Sequence, residues 1–150
     1  MRLMLRDSVP DDMRAAMKAR EPLTVSTLRM LMAAMKNAQV EAGHELDDDE
    51  VIAVIGKEAK RRKESIEAYT DASRPDLADK EAAELVILEA YLPEQLGEDE
   101  LAALVEAAIA EAGATEARQM GAVMKIVMAK VAGRADGSAV SALVKARLSG

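Results

Sequence analysis

Apolar residues return every three or four positions through almost all of this chain, and no other feature constrains its fold as much. That spacing places side chains on one face of an α-helix, where each residue turns by about 100°. One such stripe is Val51, Ile55, Ala59, Ile66 and Tyr69, with Arg62 falling inside it. Aromatic strand formers are nearly missing: there is no Phe and no Trp, and Tyr69 and Tyr91 are the two tyrosines. Ala, Leu, Val, Ile and ten Met must therefore fill the core. Ala, Leu, Met, Glu, Lys and Arg favour helix, so the expected class is all-α.

Pro93 divides the chain. It has no backbone N–H and disfavours helical geometry at Leu92, so a long helical pattern should stop there. A new pattern begins at Leu101, with Gly97 placed as N-cap, Glu100 at N3, and Leu96 and Leu101 as a hydrophobic staple. The expected organisation is an N-terminal domain of about four helices over residues 1–92 and a three-helix domain over 93–150.

In the first domain a helix is expected from about Leu3 to Ala19, with Val9, Met13, Ala16 and Met17 as its apolar face and, because Pro10 sits inside it, a kink or restart near Ser8. The second should begin with Thr24 as N-cap, carry Leu28, Leu31, Met32, Met35 and Ala38, and end at Gly43. The third has the strongest start: Asp47 as N-cap, Glu50 at N3, and Leu46 stapled to Val51. Its acidic first turn suits the positive end of the helix dipole, and it should reach about Ala72. Ser73 is the expected N-cap of the fourth helix, whose Leu77, Leu85, Leu88 and Leu92 share a side. Val86, Ile87 and Tyr91 widen that surface, as a helix contacted from two directions would require. Beyond Pro93, three stripes follow: Leu101 to Ile109, Met120 to Val131 (begun by Thr115 and ended by Gly133), and Val140 to Leu148 (capped by Asp136).

Several functions are disfavoured directly. Without Cys there is no disulfide framework, thiolate nucleophile or Cys metal site. His44 is the single histidine and reads as an incidental surface residue beside acids. No Gly-rich phosphate loop, GxSxG elbow or HExxH motif occurs. The run Asp47-Asp48-Asp49-Glu50 lacks the spacing of a calcium loop. No catalytic residue, metal or cofactor is assigned. No apolar run reaches the roughly 18 residues of a membrane span, and no signal-peptide pattern opens the chain, so a cytoplasmic protein with no membrane partner is expected.

Recognition chemistry remains. The net charge of −7 argues against indiscriminate nucleic-acid binding, yet the charge is uneven. From Arg118 to Arg147 there are six basic residues against the single acid Asp136. On a continuous helix, residues seven apart differ by about 20°, so Arg118 and Lys125 would share the face opposite the Met120–Val131 stripe. Ala122 and Ala129 lie between or beside them and leave that surface small, which suits close approach of a phosphate backbone, and Arg134 in the following turn could add a contact. An ordinary solvated face is the competing reading. Lys57, Lys60 and Arg61 form a second basic patch, which Glu58 and Glu64 can neutralise. Arg29, Lys36, Arg62 and Tyr91 are interface candidates, Arg62 because it sits among apolar positions. With so few aromatics, stacked-base readout of single strands is not expected.

These segments also carry a resemblance. Ser26-Thr27-Leu28-Arg29-Met30-Leu31, the stretch from Lys57 to Ser65, Tyr91-Leu92-Pro93-Glu94-Gln95-Leu96, Met120-Gly121 with Val123-Met124, and Gly133-Arg134-Ala135-Asp136-Gly137 together resemble the YqeY family. The C-terminal part is also similar to the tail domain of the GatB subunit of tRNA-dependent amidotransferases. The resemblance implies a helical domain followed by a three-helix GatB/YqeY-type domain, with tRNA or a tRNA–enzyme complex as partner. Arg118, Gly121, Lys125 and Arg134 are its RNA-facing candidates, and the N-terminal domain is left free for a protein partner. Family labels also mention carbon–nitrogen ligase activity with glutamine as amido donor, but the resemblance carries over no catalytic residue.

Overall fold

The computed structural model describes residues 3–149, which form seven α-helices and one short 3-10 turn without a strand. The chain is all-α. It groups into two compact units, Met1–Leu92 and Pro93–Gly150, each with its own core.

The first unit contains α1 (Leu5–Lys18), α2 (Pro22–Ala42), α3 (Asp48–Asp71) and α4 (Pro75–Glu89). Its core joins Val9, Leu28, Leu31, Met35, Leu46, Val51, Ile55 and Leu88. Helix α1 runs through Pro10 as one element, so the expected restart does not occur. Its apolar face is narrower than expected: Val9 and Ala16 are buried, whereas Met17 is exposed.

Two expected helix starts are corrected. Helix α2 begins at Pro22 rather than after Thr24, and α4 begins at Pro75 with Arg74, not Ser73, at the cap. The reason lies in the preceding helix ends. After α1, Arg20 takes a left-handed φ of 57°, and Glu21 N–H reaches back to Ala16 O at 3.0 Å. After α3, Ser73 takes φ 59°, and Arg74 N–H reaches Tyr69 O at 2.8 Å. These are Schellman closures built on residues other than Gly, each followed by a proline at the first position of the next helix. Ser73 thus closes one helix instead of opening another.

The start of α3 has the expected form. Glu50 N–H donates to Asp47 Oδ1 at 2.8 Å, and Asp47 N–H donates to Glu50 Oε1 at 3.1 Å. Leu46 and Val51 are both buried beside this box. Asp48 has a long-range role, since its Oδ1 accepts from Leu5 N–H at 2.8 Å. Removing the cap with Asp47→Ala should cost the first unit about 1 kcal/mol, read as a lower midpoint in urea with unchanged slope.

In α4 the buried side chains are Ala78, Glu84 and Leu88. Ile87, Tyr91 and Leu92 pack on the first unit's own core, while Val86 stays exposed.

The second unit contains α5 (Glu98–Ala112), a 3-10 turn (Ala117–Gln119), α6 (Met120–Val131) and α7 (Gly137–Ser149). Its core is built on valine: Val105, Val123, Val127, Val131, Val140 and Val144 are fully buried. Gly97 caps α5 in extended geometry, and Leu96 and Leu101 meet in the same core. Gly113 ends α5 at φ 63°. The second stripe departs from expectation at its start, where the α-helix begins at Met120 after the 3-10 turn; at its end Ala132 and Gly133 both take left-handed φ, 47° and 82°.

Candidate nucleic-acid interface

Valines 123, 127 and 131 face the core of the second unit, so α6 turns Gly121, Ala122, Lys125, Met128 and Ala129 outward. A Cβ on Gly121 would meet nothing within 4 Å, so packing inside the unit does not require glycine there. Lys125 is exposed and forms no ion pair among the described residues.

Arg118 lies in the 3-10 turn that precedes α6, and not on one continuous α-helix with Lys125. Its side chain is 84% exposed, and its Nε lies 2.5 Å from Glu116 Oε2. Other cations of the basic tail are engaged as well. Lys130 pairs with Glu111 at 3.0 Å, and Arg147 with Glu106.

Arg134 serves the fold. Its Nε–H donates to Glu94 O at 3.1 Å, and its carbonyl accepts Leu96 N–H at 2.8 Å. Gln95 Nε2 reaches Gly133 O at 3.3 Å. These bonds seat the Pro93–Leu96 segment on the Gly133–Arg134 turn. The two motifs were visible in the sequence, but their mutual bonding was not, because nothing in their spacing brings positions about 40 residues apart together.

In the first unit, Lys57 and Arg61 are exposed on α3, and Arg61 is held by Glu58 at 3.2 Å. Lys60 is part-buried on the same helix and is also engaged. Arg29 and Lys36 are exposed on α2 without ion pairs among the described residues. Arg29 borders a shallow groove of about 580 Å³ with Met17, Pro22 and Val25.

Arg62 finds its acidic partners inside its own unit. Its side chain is 8% exposed, and it lies between Glu58 Oε1 at 3.2 Å and Glu84 Oε2 at 3.4 Å, both buried and both in its own unit. Sequence reasoning missed Glu84. The signal was present: an acid four residues before Leu88 on α4, and a base inside the α3 stripe, are opposite charges on apolar faces.

Tyr91 is half-buried, and its hydroxyl donates to Asp12 Oδ2 at 2.5 Å. Burial, and then the neighbouring Asp12 carboxylate, push its ionisation well above the ordinary phenol range. It ties the end of α4 to α1. His44 is exposed; its Nδ1–H donates to Glu45 O at 2.8 Å, and its Nε2 lies 3.5 Å from Glu50. That carbonyl first, and Glu50 second, raise its pKa. Among the described residues, no group of three His, Asp or Glu is placed to hold a metal ion, and no helix is long and apolar enough to cross a membrane.

Fold and surface together define an all-α protein of two helical units, one with a small-residue, cationic helix face and the other with a buried arginine–glutamate cluster. The chain belongs to the YqeY family: the family of Yqey-like proteins matches residues 6–148. It is 34% identical over 126 residues to altered inheritance of mitochondria protein 41, mitochondrial, of Pyrenophora tritici-repentis, covering 83% of this chain and 69% of that protein. The protein of the same name from Lachancea thermotolerans is 34% identical over 82 residues, covering 54% of this chain and 44% of the relative. The Kluyveromyces lactis counterpart is 33% identical over 85 residues, covering 56% and 46%. The chain thus matches about half the length of the last two.

Proposed function

We propose that the C-terminal unit docks on RNA phosphates, with tRNA or a tRNA–enzyme complex as the target, and that the protein acts as an accessory to a tRNA-handling enzyme. The outward face of α6 carries the reading. It presents Lys125 among Gly121, Ala122 and Ala129, and no acidic residue occurs between Arg118 and Arg134.

The ion pairs nearby do not remove the surface from use. Arg118–Glu116 and Lys130–Glu111 have side chains between 41% and 84% exposed. Exposed pairs are worth at most about 1 kcal/mol, so a phosphate can displace the carboxylate. Arg134 contributes through the turn it holds. Docking of this kind reads shape and charge, not stacked bases. Catalysis by this chain is not part of the proposal, and the cytoplasm is the compartment in which we place it. The mitochondrial label belongs to the names of the fungal relatives.

The test is tRNA binding across a salt series. Arg118→Glu with Lys125→Glu should weaken binding by about a hundredfold, two charge-assisted contacts being lost, while helical circular dichroism stays unchanged. The slope of log affinity against log salt should become shallower by about 0.7–0.9 per lost contact. Unchanged affinity in a folded double variant rejects this face.

A further inference from the structure

The acids that stand just before the basic tail are matched to it one for one. From Leu101 to Ala117 the acidic residues are Glu106, Glu111 and Glu116, spaced five apart. Each holds a different cation of the tail. Glu106 takes Arg147 on α7, Glu111 takes Lys130 on α6 at 3.0 Å, and Glu116 takes Arg118 in the 3-10 turn at 2.5 Å. No acid of that span is left over, while Lys125 and Lys145 are exposed and lie outside these pairs.

The fold does not ask for this matching. The unit is held by its valine core, and the side chains of the three pairs are between 41% and 84% exposed. Ion pairs exposed to that degree add little to stability. Glu111 sits in the last turn of α5, where a carboxylate opposes the negative end of the helix dipole. What the three carboxylates share is chemistry with a phosphate: each is an anionic acceptor for the same charged N–H groups.

We propose that Glu106, Glu111 and Glu116 are an internal substitute for phosphate, an autoinhibitory mask that holds down the RNA affinity of the C-terminal unit. This rests on the RNA reading above and adds to it how tightly that surface binds. RNA must evict a carboxylate to reach Arg118, Lys130 or Arg147, and each eviction subtracts the strength of one ion pair from binding.

The test is tRNA binding by the whole chain at about 0.15 M salt. Glu106→Gln, Glu111→Gln and Glu116→Gln combined should tighten binding by about tenfold, three exposed pairs being removed from the competition. Gln at position 116 keeps an oxygen for the Gln119 N–H that Glu116 caps. The control is Glu41→Gln with Glu67→Gln and Asp79→Asn, three exposed acids of the first unit that form no ion pair among the described residues. It makes the same change of net charge and should alter affinity by less than about twofold, because charges beyond a Debye length of about 8 Å are screened. Should the triple Gln variant lose helical circular dichroism, Glu111→Gln with Glu116→Gln serves in its place, with a gain of about fivefold. A parent that binds tRNA, with a folded Gln variant that gains no more than the control, overturns the mask and leaves the docking face standing. Failure of both the parent and the Gln variant to retain tRNA overturns the RNA reading, and the mask with it.

Discussion

Arg62→Met is expected to destabilise the N-terminal unit by about 3–5 kcal/mol. The substitution keeps much of the apolar stem but removes the charge that Glu58 and Glu84 share. Those carboxylates are 9% and 6% exposed, so water cannot replace the guanidinium. Arg61 still reaches Glu58 from outside, which leaves Glu84 as the more exposed electrostatic debt. Domains are typically stable by about 5–15 kcal/mol, so the loss is a large fraction of the total. Adding Glu58→Gln and Glu84→Gln to the same chain should recover at least half of it, because the penalty arises from uncompensated charge and not from lost attraction. Urea denaturation of the single and triple variants measures this. A single variant within about 0.5 kcal/mol of the parent would mean that the cluster opens freely to solvent.

Leu88→Ala should cost the same unit about 2–5 kcal/mol, through lost burial and the cavity left behind. Leu88 is fully buried against the core that includes Val9, Leu28, Leu31 and Ile55. Val86, two residues earlier on the same helix, is 68% exposed, and Val86→Ala should change stability by less than about 0.5 kcal/mol. Thermal unfolding followed by circular dichroism distinguishes them, since each kcal/mol moves the midpoint by about 4–8 °C in a unit of this size. Comparable shifts for the two variants would contradict the assigned inner and outer faces of α4.

Local signals were readable where chemistry and position coincide within one turn. The Asp47–Glu50 box, the Leu46–Val51 staple, the Gly43 stop and the Gly97 cap each depend on residues a few positions apart. The starts of α2 and α4 were misread because Ser73 and Thr24 are good capping residues by type. The left-handed closures at Arg20 and Ser73 had already fixed where the next helix could begin. The basic tail was legible as composition. Its engagement was not, since Glu106 and Glu111 lie on α5, away in sequence from the Arg147 and Lys130 they hold.

The linear order of residues determined that this chain would be helical and where most of its helices would lie, because period and capping act over one or two turns. It also exposed Arg62 as a misfit among apolar neighbours. Only the tertiary structure decided what that misfit meant. Burial removes the water that would otherwise solvate a lone guanidinium, so its partners had to come from wherever the fold could bring an acid. One was Glu58, on its own helix, and the other was Glu84, which only the packing of α4 against α3 could supply.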